Sequence, residues 1–268
     1  VQAVSDKLDE ISTTVFDAMD SLENRDLVTD GSQTDPDSIT MGALRGCENT
    51  GAVQADRNVG GIAGAMGMEA GADPESDVSK SLSSAERKQY ELRAVLQHCV
   101  STGAVTAKKD CAAAICGRMD LGLIDGCEAY GSVESKSGDY AGGVAGMCSA
   151  VIEHCWAKCT LSGGRYVGGI TGTGVTDGVS GSGSTVSGCV SLVSITGYSQ
   201  YAGAVSGSSA GAFADNVFVS DTLAGLDGAS TAGQAEPVAY EALLVKEALP
   251  DEFRTFTVQF IANGEVLK

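Results

Sequence analysis

The sequence predicts an all-β chain wound as a right-handed parallel β-solenoid of about five to six coils, with an N-terminal helix. Three observations predict it. A cysteine recurs in one frame along most of the chain. A short glycine-rich signature closes each repeat. Large rings are scarce, with one Trp, seven Tyr and six Phe in 268 residues. A single compact core draws much of its burial from aromatics, so this chain must bury small aliphatic residues in layers.

The cysteine frame comes first. Cys47, Cys99, Cys127, Cys155 and Cys189 are spaced by 52, 28, 28 and 34 residues, and Asn216 continues the series after 27. A unit of about 28 residues with one large and one small insertion accounts for this. Three residues before each stands Leu44, Leu96, Ile124, Ile152, Val186 and Phe213; six after stands Val53, Val105, Val133, Leu161 and Ile195. The residue immediately before reads Gly46, His98, Gly126, His154, Gly188 and Asp215. Gly, His and Asp share a tolerance for positive φ, so a left-handed turn residue is expected in each unit. Stacking then places Cys47, Cys99, Cys127, Cys155, Cys189 and Asn216 in one structural ladder.

The closing signatures are Gly60-Gly61-Ile62-Ala63-Gly64, Ala113-Ala114-Ile115-Cys116-Gly117, Gly142-Gly143-Val144-Ala145-Gly146, Gly168-Gly169-Ile170-Thr171-Gly172 and Gly203-Ala204-Val205-Ser206-Gly207. With the two aliphatic anchors they give about three short strands per unit. Asn216's unit lacks a signature. Tyr140, Tyr166 and Tyr201 recur just ahead of three of them. They are expected to stack, either as a packing ladder or as a surface stripe that contacts a glycan or protein.

Flanking segments follow. Val4, Leu8, Ile11, Val15, Ala18 and Leu22 keep heptad spacing, so residues 1–30 read as an amphipathic helix that caps the first coil or begins a coiled-coil stalk. Self-association through residues 1–25 is the corresponding expectation. The solenoid is placed at 31–235, with insertions at 66–93 and 174–184; residues 84–92 read as a short helix. Residues 236–268 read as a short helix before Pro250, a linker and the first strands of a following domain. The chain opens at Val1 without a signal peptide and closes inside a strand pattern, as expected of a piece of a longer protein.

These signatures, above all Val59–Gly64 and Val167–Gly172, resemble the GLUG motif over residues 39–220. That motif recurs in bacterial surface proteins, among them precursors of some IgA-cleaving peptidases and multidomain proteins of gut Firmicutes. The resemblance implies an extracellular or cell-surface solenoid and carries no catalytic residue. Ala113-Ala114 departs from its glycine pair.

Charge narrows the function. A net charge of −18 argues against nucleic acid, which requires a basic footprint, and against docking on anionic lipid. No apolar run reaches the ~18 residues of a membrane span. Cofactors are expected to be absent; calcium is the alternative, on Asp35-Pro36-Asp37 or Asp73-Pro74-Glu75-Ser76-Asp77, which match no calcium-loop spacing. Gly207-Ser208-Ser209-Ala210-Gly211 matches a nucleophile elbow, but both histidines precede Ser209 and helix context is missing. His154, Cys155 and Cys159 lack a fourth zinc ligand. A dyad at His98-Cys99 would occupy a core position. Cys111 with Cys116, or Cys148 with a neighbouring coil, would pair only in an oxidising compartment; buried free thiols are expected. The function expected is a non-catalytic surface or secreted scaffold or adhesion module whose partner is a host or cell-wall protein or glycan. The alternatives are a carbohydrate-active β-helix enzyme, which needs a groove with paired carboxylates, and an oligomeric spacer.

Overall fold

A computed structural model describes residues 28–67, 90–175, 183–245, 249–256, 260–262 and 265–267. The expected N-terminal helix, residues 1–25 with their self-association, the acidic loop 73–77 and most of both insertions lie outside the described residues. The described chain is all-β and solenoid-like, and its large sheets are parallel throughout.

Each of the first four sequence units contributes to four sheets in turn, and the Cys189 unit to the first three, with Ser206 bridging to the fourth. The first sheet holds the strands that precede the ladder position: Ala43–Arg45, Val95–Gln97, Leu123–Asp125, Val151–Glu153, Thr185–Ser187 and Ala212–Ala214. In it Leu44, Leu96, Ile124, Ile152, Val186 and Phe213 stand in register. The second sheet follows the ladder, running from Val53–Ala55 through Glu128–Ser135 and Trp156–Ser162 to Asn216–Phe218 and Ala235–Pro237. There Val53, Val105, Val133, Leu161 and Ile195 align. The closing signature does not make one strand. It bends and serves two sheets: Val59–Gly60, Ala112–Ala113, Ala141–Gly142, Arg165–Gly168 and Gln200–Gly203 in the third, Ala63–Met66, Cys116–Met119, Ala145–Cys148 and Thr171–Gly174 in the fourth. Three strands per unit therefore becomes four.

The bend explains the first glycine. A side-chain carbon on Gly142 would fall 1.9 Å from the Ala145 carbonyl oxygen, and one on Gly168 would fall 2.0 Å from that of Thr171. The apolar residue at the bend points inward: Ile115, Val144, Ile170 and Val205 are fully buried. Each such side chain contributes roughly 1.5–3 kcal/mol by leaving water. Layers at the start of the stack are less complete, and Cys47, Val53 and Ile62 are only partly buried.

Asn216's unit does have a closing segment. Val205 N–H donates to Gly225 O at 2.9 Å, Ser206 bridges Leu226 in parallel, and Leu226 is buried. Residues 223–227 thus occupy the signature's place with Leu-Ala-Gly-Leu-Asp, a pattern too far from the repeat to be found by motif.

Two further expectations are corrected. Val28–Asp30 is not helical; it is a strand paired in parallel with Tyr90–Leu92, so the last three residues of the helix expected over 84–92 are strand, while 84–89 lie outside the described residues. The stretch expected as helix and linker is docked on the solenoid. Helices α1 (Tyr240–Leu244) and α2 (Asp251–Arg254) bring Leu243, Leu249 and Phe253 against the outer face of the second sheet, onto Tyr130, Trp156, Val190 and Val217. Lys158 Nζ donates to the carbonyls of Glu252 and Thr255, and Tyr240 Oη donates to Phe253 O at 2.6 Å. The signal was legible in retrospect: outward positions of a solvated sheet are polar, and here they are Val, Trp, Tyr and Leu. Beyond the helices, Phe260–Ala262 and Glu265–Leu267 pair antiparallel.

Candidate functional site

The ladder is built from turn residues. Gly46, His98, Gly126, His154, Gly188 and Asp215 all have φ between +51° and +62°. That turn carries the next residue inward. Cys99, Cys127, Cys155, Cys189 and Asn216 are fully buried, while Cys47, in the first layer, is half-buried. Each buried thiol donates to the carbonyl two residues back, on Gln97, Asp125, Glu153 and Ser187, at 3.2–3.5 Å. The Cys99 and Cys127 amides donate to the sulfur of the next unit at 3.4 Å. All nine cysteines are free. Burial pushes the Cys111 thiol up to about 11 and those of Cys148 and Cys159 up to about 12. Such thiols are poor nucleophiles and poor metal ligands, since the thiolate performs both roles.

The zinc grouping does not assemble. Cys155 and Cys159 point inward, whereas the His154 side chain is 67% exposed and its Nδ1 lies 3.1 Å from Asp125 Oδ1. Asp125, Glu153 and His154 instead place one ligand atom each within 4.8 Å. Asp125 and Glu153 end strands of the first sheet and His154 is the turn residue after Glu153, and neither of the two described grooves is lined by them. Cys99 is buried below its turn, and its thiol bonds to backbone. Ser208 Oγ accepts from Ala210 N–H, closing a tight turn around Ser209. No described hydrogen bond joins Ser209 to either histidine, and Ala212–Ala214 beyond it is strand rather than helix.

Tyr140, Tyr166 and Tyr201 come together. Tyr140 and Tyr166 stack with centroids 5.4 Å apart and planes 13° from parallel; Tyr166 and Tyr201 stack at 4.7 Å and 19°. They sit at the corner between the second and third sheets, in one column with Asn58 and Cys111. All five residues have positive φ, +50° to +66°. Asn accepts that region readily; a bulky ring does so at a cost of order 1–2 kcal/mol. Tyr166 has a neighbour on both faces, and Tyr201, at the end of the column, is 40% exposed.

The surrounding corner is charged. Arg165 Nη2 contacts Asp139 Oδ2 at 2.6 Å, and its backbone N–H also donates to Asp139. Partial burial works to raise the Asp139 carboxyl, and these hydrogen bonds outweigh it, holding the group below the usual range. Arg57 pairs with Asp110 at 2.6 Å and Lys109 with Asp56 at 2.9 Å. Beside the tyrosines runs a groove of about 500 Å³, lined by residues 134–138, 162–164 and 197–199. Tyr198, 52% exposed, stands on its wall.

Comparison with protein families, curated proteins and solved structures finds no match to this chain. No helix among the described residues is long and apolar enough to cross a membrane.

Proposed function

We propose that this chain is a non-catalytic scaffold and adhesion module of a bacterial surface or secreted protein. Its GLUG-like units wind as a right-handed solenoid of five to six coils, and its contact surface is the corner that carries Tyr140, Tyr166 and Tyr201. One observation carries the reading: three tyrosines occupy left-handed turn positions where Asn58 stands in the same column. Ring stacking is worth about 0.5–1.5 kcal/mol per pair, comparable with the backbone cost, so folding alone gains little from the rings. Backbone strain held at an exposed site is a mark of function. Aromatic side chains are also what contact surfaces favour, because they bring large area at low entropic cost.

The rest of the chain supports a structural role. The histidines serve the turns, five of the nine cysteines the ladder, and most corner carboxylates are matched by cations. The test is a screen of the purified chain against immobilised matrix proteins and glycans, with Tyr166→Ala and Tyr201→Ala beside it. Binding that Tyr201→Ala weakens at least tenfold, with unchanged circular dichroism, supports the module. Binding that ignores both removes the tyrosine corner from it.

A further inference from the structure

The corner beside the tyrosines gathers cations on a strongly anionic protein, five against the four carboxylates Asp56, Asp110, Glu134 and Asp139. Of 17 Lys and Arg in the chain, five stand at it: Arg57, Lys108, Lys109 and Lys136 in its loops and Arg165 at the start of a strand. Three are matched by Asp110, Asp56 and Asp139. Lys108 and Lys136 form no salt bridge among the described residues. They are also neighbours. Ala107 and Ser135 are in register, and Lys136 N–H donates to Ala107 O at 2.9 Å, so the two lysines follow each other on adjacent units. Ser137 Oγ donates to Lys108 O at 2.6 Å and fixes the loop. Adjacent strands lie about 4.8 Å apart, and like charges at that spacing repel. Lys108 shares Asp56 with Lys109, whereas Lys136 has no ion-pair partner among the described residues, a local imbalance that an external anion would relieve.

The groove beside them has the other parts of a sugar site. It crosses three units, a width of about 10 Å from two strand spacings. Its wall carries hydroxyls from Ser137, Ser162 and Ser199, the ammonium of Lys136, the carboxylate of Glu134 and the half-exposed ring of Tyr198. Stacking on a tyrosine needs a free ring face. Tyr166 has none, being covered on both sides, so the usable platform is at Tyr198 and at the open end of the column, Tyr201.

We infer that this groove binds an anionic glycan, with the sugar against Tyr198, its hydroxyls on the serines, and its sulfate or carboxylate at Lys136, beyond which Lys108 stands one unit outside the groove. This rests on the surface-contact reading above and names its ligand class. Long-range repulsion from the acidic body does not forbid it, because charges farther than about 8 Å are screened at physiological ionic strength.

The experiment measures binding of the full chain to three probes: chondroitin sulfate, polygalacturonate and dextran. A Lys108→Ala/Lys136→Ala double variant, Tyr198→Ala and Tyr166→Ala are run in parallel, with circular dichroism as the folding control. The expected result is binding to one or both polyanions and none to dextran. The double variant loses at least tenfold in affinity and much of the salt dependence, and Tyr198→Ala loses about tenfold. Preference for the sulfated or the carboxylated probe identifies the anion. Equal binding to dextran overturns the anionic class while leaving the contact surface. Polyanion binding untouched by the lysine variant overturns the groove. Failure of all three glycans, with a matrix protein bound through Tyr166, overturns the glycan and leaves the adhesion reading; failure of every ligand overturns both.

Discussion

The Asn216 carboxamide does for Cys189 what the thiols of Cys127 and Cys155 do for Cys99 and Cys127. Its Oδ1 accepts the Cys189 N–H at 3.0 Å, and its Nδ2 donates to Val186 O at 2.8 Å and to Gln234 O at 2.9 Å. The amide thus satisfies three backbone groups around a fully buried position. Asn216→Ala should cost about 2–4 kcal/mol, since each stranded buried group is worth about 1–3 kcal/mol. Asn216→Cys should recover part of that loss, because sulfur makes the same donor and acceptor contacts in the units before it. Chemical denaturation of the two variants checks the order; equal stability would show the ladder to be mere filling.

The histidine turns give a steric prediction. A side-chain carbon on Gly126 would fall 2.6 Å from His98 Nδ1, and Gly126 has φ +59°. Gly126→Ala should therefore destabilise by about 1–3 kcal/mol, combining the clash with the left-handed cost. In His98→Gly/Gly126→Ala only the backbone part should remain. A double-mutant cycle reads the difference, and strict additivity would show that the ring does not press on the glycine.

Alkaline stability follows from the buried thiols. Cys111, Cys148 and Cys159 ionise near 9 when free and are pushed by burial to about 11, 12 and 12. Raised folded values mean that the folded state holds the proton more tightly than the unfolded one. The stabilisation is complete below pH 9 and is lost as pH climbs from 9 towards 12. Melting temperature should fall through that window under reducing conditions. Iodoacetamide at pH 8 should reach half-buried Cys47 first and leave the interior thiols until the chain unfolds.

The only tryptophan reports on the docked C-terminus. Trp156 lies in the cluster with Leu243 and Phe253, and Lys158 holds the end of α2. Phe253→Ala should weaken docking by on the order of 3 kcal/mol and red-shift tryptophan emission, while far-ultraviolet dichroism stays that of parallel sheet. A collapse of the dichroism would mean that residues 240–256 support the solenoid itself.

Much of this architecture was legible in the sequence because repetition overdetermines it. The aliphatic columns at Leu44 and Val53, the left-handed turns before each cysteine and the meeting of three tyrosines follow from aligning units. What was not legible lacked a repeat to align. Residues 223–227 reach their place through backbone hydrogen bonds that Leu, Ala or Gly can all make. The split of the signature into two strands depends on close approach to a carbonyl, as at Gly142. The docking of Phe253 pairs positions nearly a hundred residues from Trp156, beyond any periodic signal. At the candidate site, the tyrosines could be found by spacing, whereas the pairing of Arg165 with Asp139, which leaves Lys136 without a carboxylate, required coordinates.

The alternation of His98 over Gly126 and His154 over Gly188 has a genetic consequence. Bulky and vacant turns take turns along the stack, so the interchangeable module is a pair of units. Duplicating one unit would set imidazole against imidazole or leave two bare turns in succession, whereas inserting two at once preserves the match. Chains of this design are therefore expected to lengthen or shorten by even numbers, with about 56 residues, twice the 28-residue cysteine spacing, as the step.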